Sequence, residues 1–178
     1  MTCTFLGCGT PTETPRPLPT GNGQEELPAE QEKKERPAEQ GKGLPAAQKQ
    51  EVNAYLATVE PKLAQWLMKE SASYLKADER KFVDEKFPKL TSQESYERFI
   101  DLVTGLFGEG ILRKATEKYD GDSTEAAIER LKIEAAHKPL LKALRTHRDI
   151  TQIRDGDQLG VNLIPELKKE LNDQLKGK

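Results

Sequence analysis

Asp155, Asp157, Gly160 and Glu166 stand at positions 1, 3, 6 and 12 of a twelve-residue stretch. Those are places where a helix-flanked calcium loop carries oxygen ligands and its turn glycine. Such a loop needs another side-chain oxygen at position 5, where this chain has Leu159. Asn162 fills position 8, normally apolar, and Pro165 interrupts the stretch. The segment therefore reads as an Asp-Gly turn leading into a helix, with Asn162 near its cap and Pro165 in its first turn. No metal ligand is assigned there. Asp120-Gly121-Asp122 lacks the later glycine and the terminal carboxylate, and is weaker still as a cation loop.

His137 and His147 are ten residues apart. On one straight helix that spacing turns them about 80° from a common face, so they would not ligate one metal together. Gly105, Gly108 and Gly110 precede Lys114. Their spacing fits no phosphate-binding glycine motif, and a break in a helix is the expected reading. No nucleophile-elbow pattern surrounds a serine, and the many Asp and Glu residues read as solvated helix faces. Trp66, Tyr55, Tyr74 and Phe82 fall at helical spacing and read as core before they read as a recognition patch. No catalytic, cofactor-binding or metal-binding residue is assigned, and no cofactor is expected.

The elements that must position these residues are helical. Val52, Tyr55, Leu56 and Val59 share one face from Ala46 onward, and Pro61 either opens a second helix or kinks the first. Leu63, Trp66, Leu67, Tyr74 and Leu75 continue the apolar side. Asp78 to Phe87 presents Phe82, Val83 and Phe87 before Pro88 stops it. Thr91-Ser92-Gln93-Glu94 fits a capping box, with Tyr96, Phe99, Ile100, Val103 and Phe107 behind it. Gly108 and Gly110 are expected to end that helix, and a short one follows with Ile111, Leu112, Ala115 and Tyr119 inward. Asp122 with Glu125 caps the next, whose inward residues are read as Ala127, Ile128, Leu131 and Ala135. Pro139 should bend or split it ahead of Leu140, Leu141 and Leu144. Leu167, Leu171 and Leu175 repeat every four residues in the last helix. No segment alternates with a period of two. The expected fold is all-α: an irregular bundle of about five to seven helices over residues 46–178.

Residues 9–45 read as a disordered tether. Thr10 to Pro19 alternates proline with polar residues, and Gly21 to Gly43 has too few apolar side chains to offset the entropy of ordering. The net charge is −2. The surplus acid falls in the tether, where Arg16, Lys33, Lys34, Arg36 and Lys42 face seven glutamates, and the remainder balances. A nucleic-acid partner or an anionic membrane surface would call for a concentrated basic excess, so neither is expected.

Residues 1–8 end in Leu6-Gly7-Cys8, followed by the Pro/Thr-rich stretch. This resembles the lipobox of bacterial lipoproteins, in which the cysteine is acylated and becomes the mature N-terminus. The resemblance covers about ten residues and implies lipidation at Cys8, an extracytoplasmic location, and a tether that holds the helical domain clear of the bilayer. A signal peptide also carries a basic start and an apolar stretch. The seven residues before Cys8 hold no Lys or Arg, so residues 1–8 read as the remnant of a longer leader. The other role for Cys3 and Cys8 is as two ordinary cysteines of a cytoplasmic protein.

The expected function is a non-enzymatic binding or accessory module on the cell envelope, with a protein partner and with membrane contact only through the anchor at Cys8. One alternative is an intracellular helical adaptor. Another is a small carboxylate- or metal-dependent hydrolase.

Overall fold

Val52, Leu56, Val59, Leu63, Trp66 and Leu67 lie on one long helix and are all buried. That helix, α1, runs Ala46–Ser71, straight through Pro61. The proline leaves the carbonyl of Ala57 without its usual donor, and Ala57 lies on the exposed side, where water can serve. The computed structural model describes residues 44–120, 122–156 and 158–178, and Cys8 with the expected tether to residue 43 lies outside them. Leu44, just ahead of α1, is already buried against the core.

Five further α-helices follow among the described residues, which form no strand. They are α2 (Ala77–Lys86), α3 (Gln93–Lys118), α4 (Ser123–Ala136), α5 (Lys138–Asp155) and α6 (Ile164–Leu175). Short 3-10 turns cover Phe87–Lys89 and Gln158–Leu163. The chain is an all-α bundle.

Side-chain bridges set the directions of the helices. Gln93 reaches Asn53, and Arg113 reaches the carbonyl of Tyr74, so α3 runs parallel to α1. Glu60 meets His147 and Glu70 meets His137, so α5 runs antiparallel to it. Tyr55 donates to the carbonyl of Lys168, and Lys178 sits over Trp66, so α6 is parallel to α1 again. α4 folds back along the end of α3, held by Lys118 on Glu129. With α3, α5 and α6 around it, α1 buries one broad side, from Trp66 round to Ala64.

Several expected details move. The cap of α3 is Ser92, one residue later than expected: its hydroxyl accepts from the Ser95 N–H, and the Ser95 hydroxyl accepts in return from the Ser92 N–H. Glu94 is left to pair with Arg98 on the outer face. Gly108 and Gly110 do not end a helix, because α3 continues through both to Lys118. Gly110 is there for clearance: a Cβ would collide with the Tyr74 carbonyl oxygen and lie 2.9 Å from the Tyr74 Cβ. Leu112, expected inward, is half exposed.

The largest correction concerns α4. Asp122 caps it through the N–H groups of Thr124 and Glu125, but Ala127, Ile128, Leu131 and Ala135 point outward. The buried or core-packed apolar residues are Ala126 and Ile133. Two apolar stripes compete on this helix, and the one with Ala126 and Ile133 is packed inward, with the Lys118–Glu129 salt bridge beside it. The helix then ends at His137, and Pro139 sits in the first turn of α5, which is the expected split.

Candidate functional site

α1 and α5 are antiparallel neighbours, and their polar residues meet in two rungs ten residues apart. Ten residues advance each helix by about 15 Å. The two histidines therefore lie far apart, each with its own glutamate, and do not converge.

At the inner rung, His147 Nε2 lies 3.0 Å from Glu60 Oε1. Both residues are buried, and Glu60 has no exposed surface. Glu60 Oε2 has no protein hydrogen-bond partner. Burial pushes the Glu60 carboxyl up, and the nearby Glu97 adds to this, while the hydrogen bond and charge of His147 and the charge of Arg154 work against it. Toward the surface lies a second pair. Arg154 Nη2 donates to Glu97 Oε2 at 3.0 Å, Nη1 donates to Oε1, and Nε donates to Asp155 Oδ1 at 2.8 Å. Arg154 holds the Asp155 carboxyl below its usual range. Gln93 donates to Glu97 as well, at 2.9 Å. A hollow opens here, lined by Asn53, Ser92, Glu97 and Arg154 among others. Its guanidinium already faces two carboxylates, so it offers an anion little net attraction.

At the outer rung, Tyr74 Oη is 2.9 Å from His137 Nε2, and His137 Nδ1 is 3.2 Å from Glu70 Oε2. The Nδ1 contact with Glu70 is an ion-pair approach, and the Tyr74 hydroxyl shares a hydrogen bond with Nε2. That is the order of hydroxyl, base and orienting carboxylate found in activated nucleophiles. The surroundings fit a clamp better. Phe107 packs edge-on to Tyr74 and His137, with centroids 5.2 and 5.3 Å away. Lys114 Nζ stands 4.4 Å from the Tyr74 ring centroid. Burial, and then the charge of Glu70, push the phenol up, which makes phenolate harder to form. The aromatic contacts and the 2.6 Å bond from Arg113 to the Tyr74 carbonyl fix the turn that joins α1 to α2.

The described residues of the Asp155–Glu166 stretch, read from the sequence as a turn leading into a helix, do not gather as cation ligands. Asp155 ends α5 against Arg154, Gly156 takes φ 146° as its cap, and the chain then coils into a 3-10 turn. Gly160 is a packing position, since a Cβ would lie 2.5 Å from Ile153 Cδ1. Glu166 is exposed on the first turn of α6. Asp157 and Cys8 lie outside the described residues. Among the described residues no three His, Cys, Asp or Glu side chains gather as a metal would require. No described helix is long and apolar enough to cross a membrane. Trp66 is buried, and Tyr55 commits its hydroxyl to α6, so these two join the core. Phe82 is exposed on α2.

A few large apolar residues remain on the surface. Leu131 is 65% exposed, Leu112 50% and Ile128 49%, in a chain whose helices bury most other large aliphatic residues. On α4 the outward line is Thr124, Ala127, Ile128, Leu131 and Ala135, with no charge along it. Arg130 with Glu134 and Lys132 with Glu129 border the line. Sequence reasoning found this stripe and assigned it to the core, because amphipathicity marks a face without saying what covers it.

The fold and this surface define an all-α helical bundle in which, among the described residues, one face of α4 is apolar and exposed. Comparison with known proteins finds no matching family model, no significantly similar curated protein and no significantly similar solved structure.

Proposed function

We propose that the chain is a non-enzymatic binding module, carried on a bacterial cell envelope by a lipid on Cys8, whose contact surface is the outward face of α4. One observation carries the binding role: Ile128 and Leu131 stand in solvent on an uncharged helical line. Large aliphatic side chains left in water are stabilised when a partner covers them. The two histidine rungs favour this reading over hydrolysis, since each imidazole is held between packed side chains. The address rests on the lipobox resemblance of Leu6-Gly7-Cys8.

The test is a photo-crosslinking residue placed at 128 or 131 in native cells, with exposed Gln65 on α1 as the reference. Adducts from positions 128 and 131, and not from 65, are the expected result. No adduct of any kind from α4 removes the binding role.

A further inference from the structure

We propose that α4 pairs with α4 of a second copy of this chain, antiparallel and about a two-fold axis; this deepens the binding role proposed for that face and rests on it. Thr124, Ile128, Leu131 and Ala135 are spaced four, three and four residues apart. That is the a/d spacing of a coiled-coil seam, and all four are exposed. The seam is also centred on its helix. Thr124 is one residue inside the start of Ser123–Ala136, and Ala135 is one inside the end. An antiparallel partner therefore overlays the whole helix on itself, with Ile128 against the partner's Leu131 and Thr124 against the partner's Ala135.

The charges beside the seam select a second copy as the occupant. Glu125 and Lys132 both flank it on the same side, seven residues apart. In the antiparallel register Glu125 of each chain approaches Lys132 of the other, so the two-fold axis makes two opposite-charge pairs. Lys132 is free to turn toward a partner: its side chain is 68% exposed and its bond to Glu129 is 3.9 Å long. The two helix macrodipoles also oppose each other in this arrangement, which is favourable. A parallel pairing gives none of this, because equal residues would then face each other. The partner described by this surface is thus its own copy.

Sedimentation equilibrium of the full 178-residue chain under reducing conditions tests it. A small interface of this kind gives a reversible dimer at about 100 µM chain. Leu131→Lys is expected to weaken the dimer at least about tenfold, since a charge then faces the partner's Ile128. Glu125→Lys and Lys132→Glu each place like charges in both pairs and weaken it as well. The double variant Glu125→Lys/Lys132→Glu restores it, and a mixture of the two single variants forms heterodimers in preference to either homodimer. These charged positions are exposed, so the charge series reads the interface even where Leu131→Lys disturbs the helix. A monomer at about 500 µM, well above the expected range, overturns the proposal, as does a dimer indifferent to the charge series. A monomer that still yields α4 adducts to other proteins in cells overturns the second copy and leaves the binding role standing.

Discussion

Glu60 and His147 are held together in the interior, and one Glu60 carboxylate oxygen has no protein partner. Removing one member of such a pair leaves a buried polar group uncompensated, so His147→Ala is expected to cost about 3–5 kcal/mol in chemical denaturation. Replacing both by leucine is expected to be neutral, or to stabilise by about 1–4 kcal/mol, because two desolvation penalties disappear together. The pH dependence has a defined sign. Burial raises the folded-state Glu60 carboxyl above its ordinary 4.5. The folded chain then holds this proton more tightly than the unfolded chain does. The contribution is full below 4.5 and is lost as pH rises through the raised folded value. Measured against Glu60→Gln, the wild type should therefore lose relative stability as pH rises above 4.5; a constant difference would refute the assignment.

Helix α3 separates two uses of glycine. Gly105 and Gly108 have open space where a Cβ would go, whereas Gly110 abuts the backbone of Tyr74. Alanine at 105 or 108 is expected to stabilise the chain by up to about 1 kcal/mol, through helix propensity alone. Gly110→Ala is expected to destabilise it, since the turn after α1 must move away. Thermal unfolding of the three variants checks this, and a rise in Tm for Gly110→Ala would mean that the close approach is not needed. At the cap of the same helix, Ser92→Ala is expected to cost about 1 kcal/mol, while Thr91→Ala costs less, because the serine carries the cap.

For the molecule as a whole, the proposed arrangement is a lipid-held bundle that presents α4 to its own copies. Intact mass and detergent partitioning of the protein from its native source test the anchor. A chain beginning at Cys8 with an added acyl mass is expected, and Cys8→Ser should move the protein to the aqueous phase. An unmodified chain in the aqueous phase would turn the proposal to an intracellular adaptor, with α4 pairing unaffected. A dimer would also bring two anchors to one assembly, which strengthens membrane residence beyond a single attachment.

The helical class, most of the helix positions and much of the buried set are legible from local pattern. The lines through Val52 to Leu67 and Phe99 to Phe107 have one apolar side, and one side leaves one choice. Asp122 and Pro139 act on their own neighbours, so their effects can be read from the sequence. The fate of Gly110 could not be read locally, because it depends on Tyr74, a residue 36 positions away in the chain. Nor could the pairing of His137 with Glu70 and of His147 with Glu60, although the matched ten-residue spacings on two helices hint at it. On α4 the sequence determined a line of apolar residues, and the tertiary structure decided that it faces water. Hydrophobic periodicity records which side chains gain from burial; only the packing of α3 against Ala126 and Ile133 decides which of two apolar sides is covered within the chain.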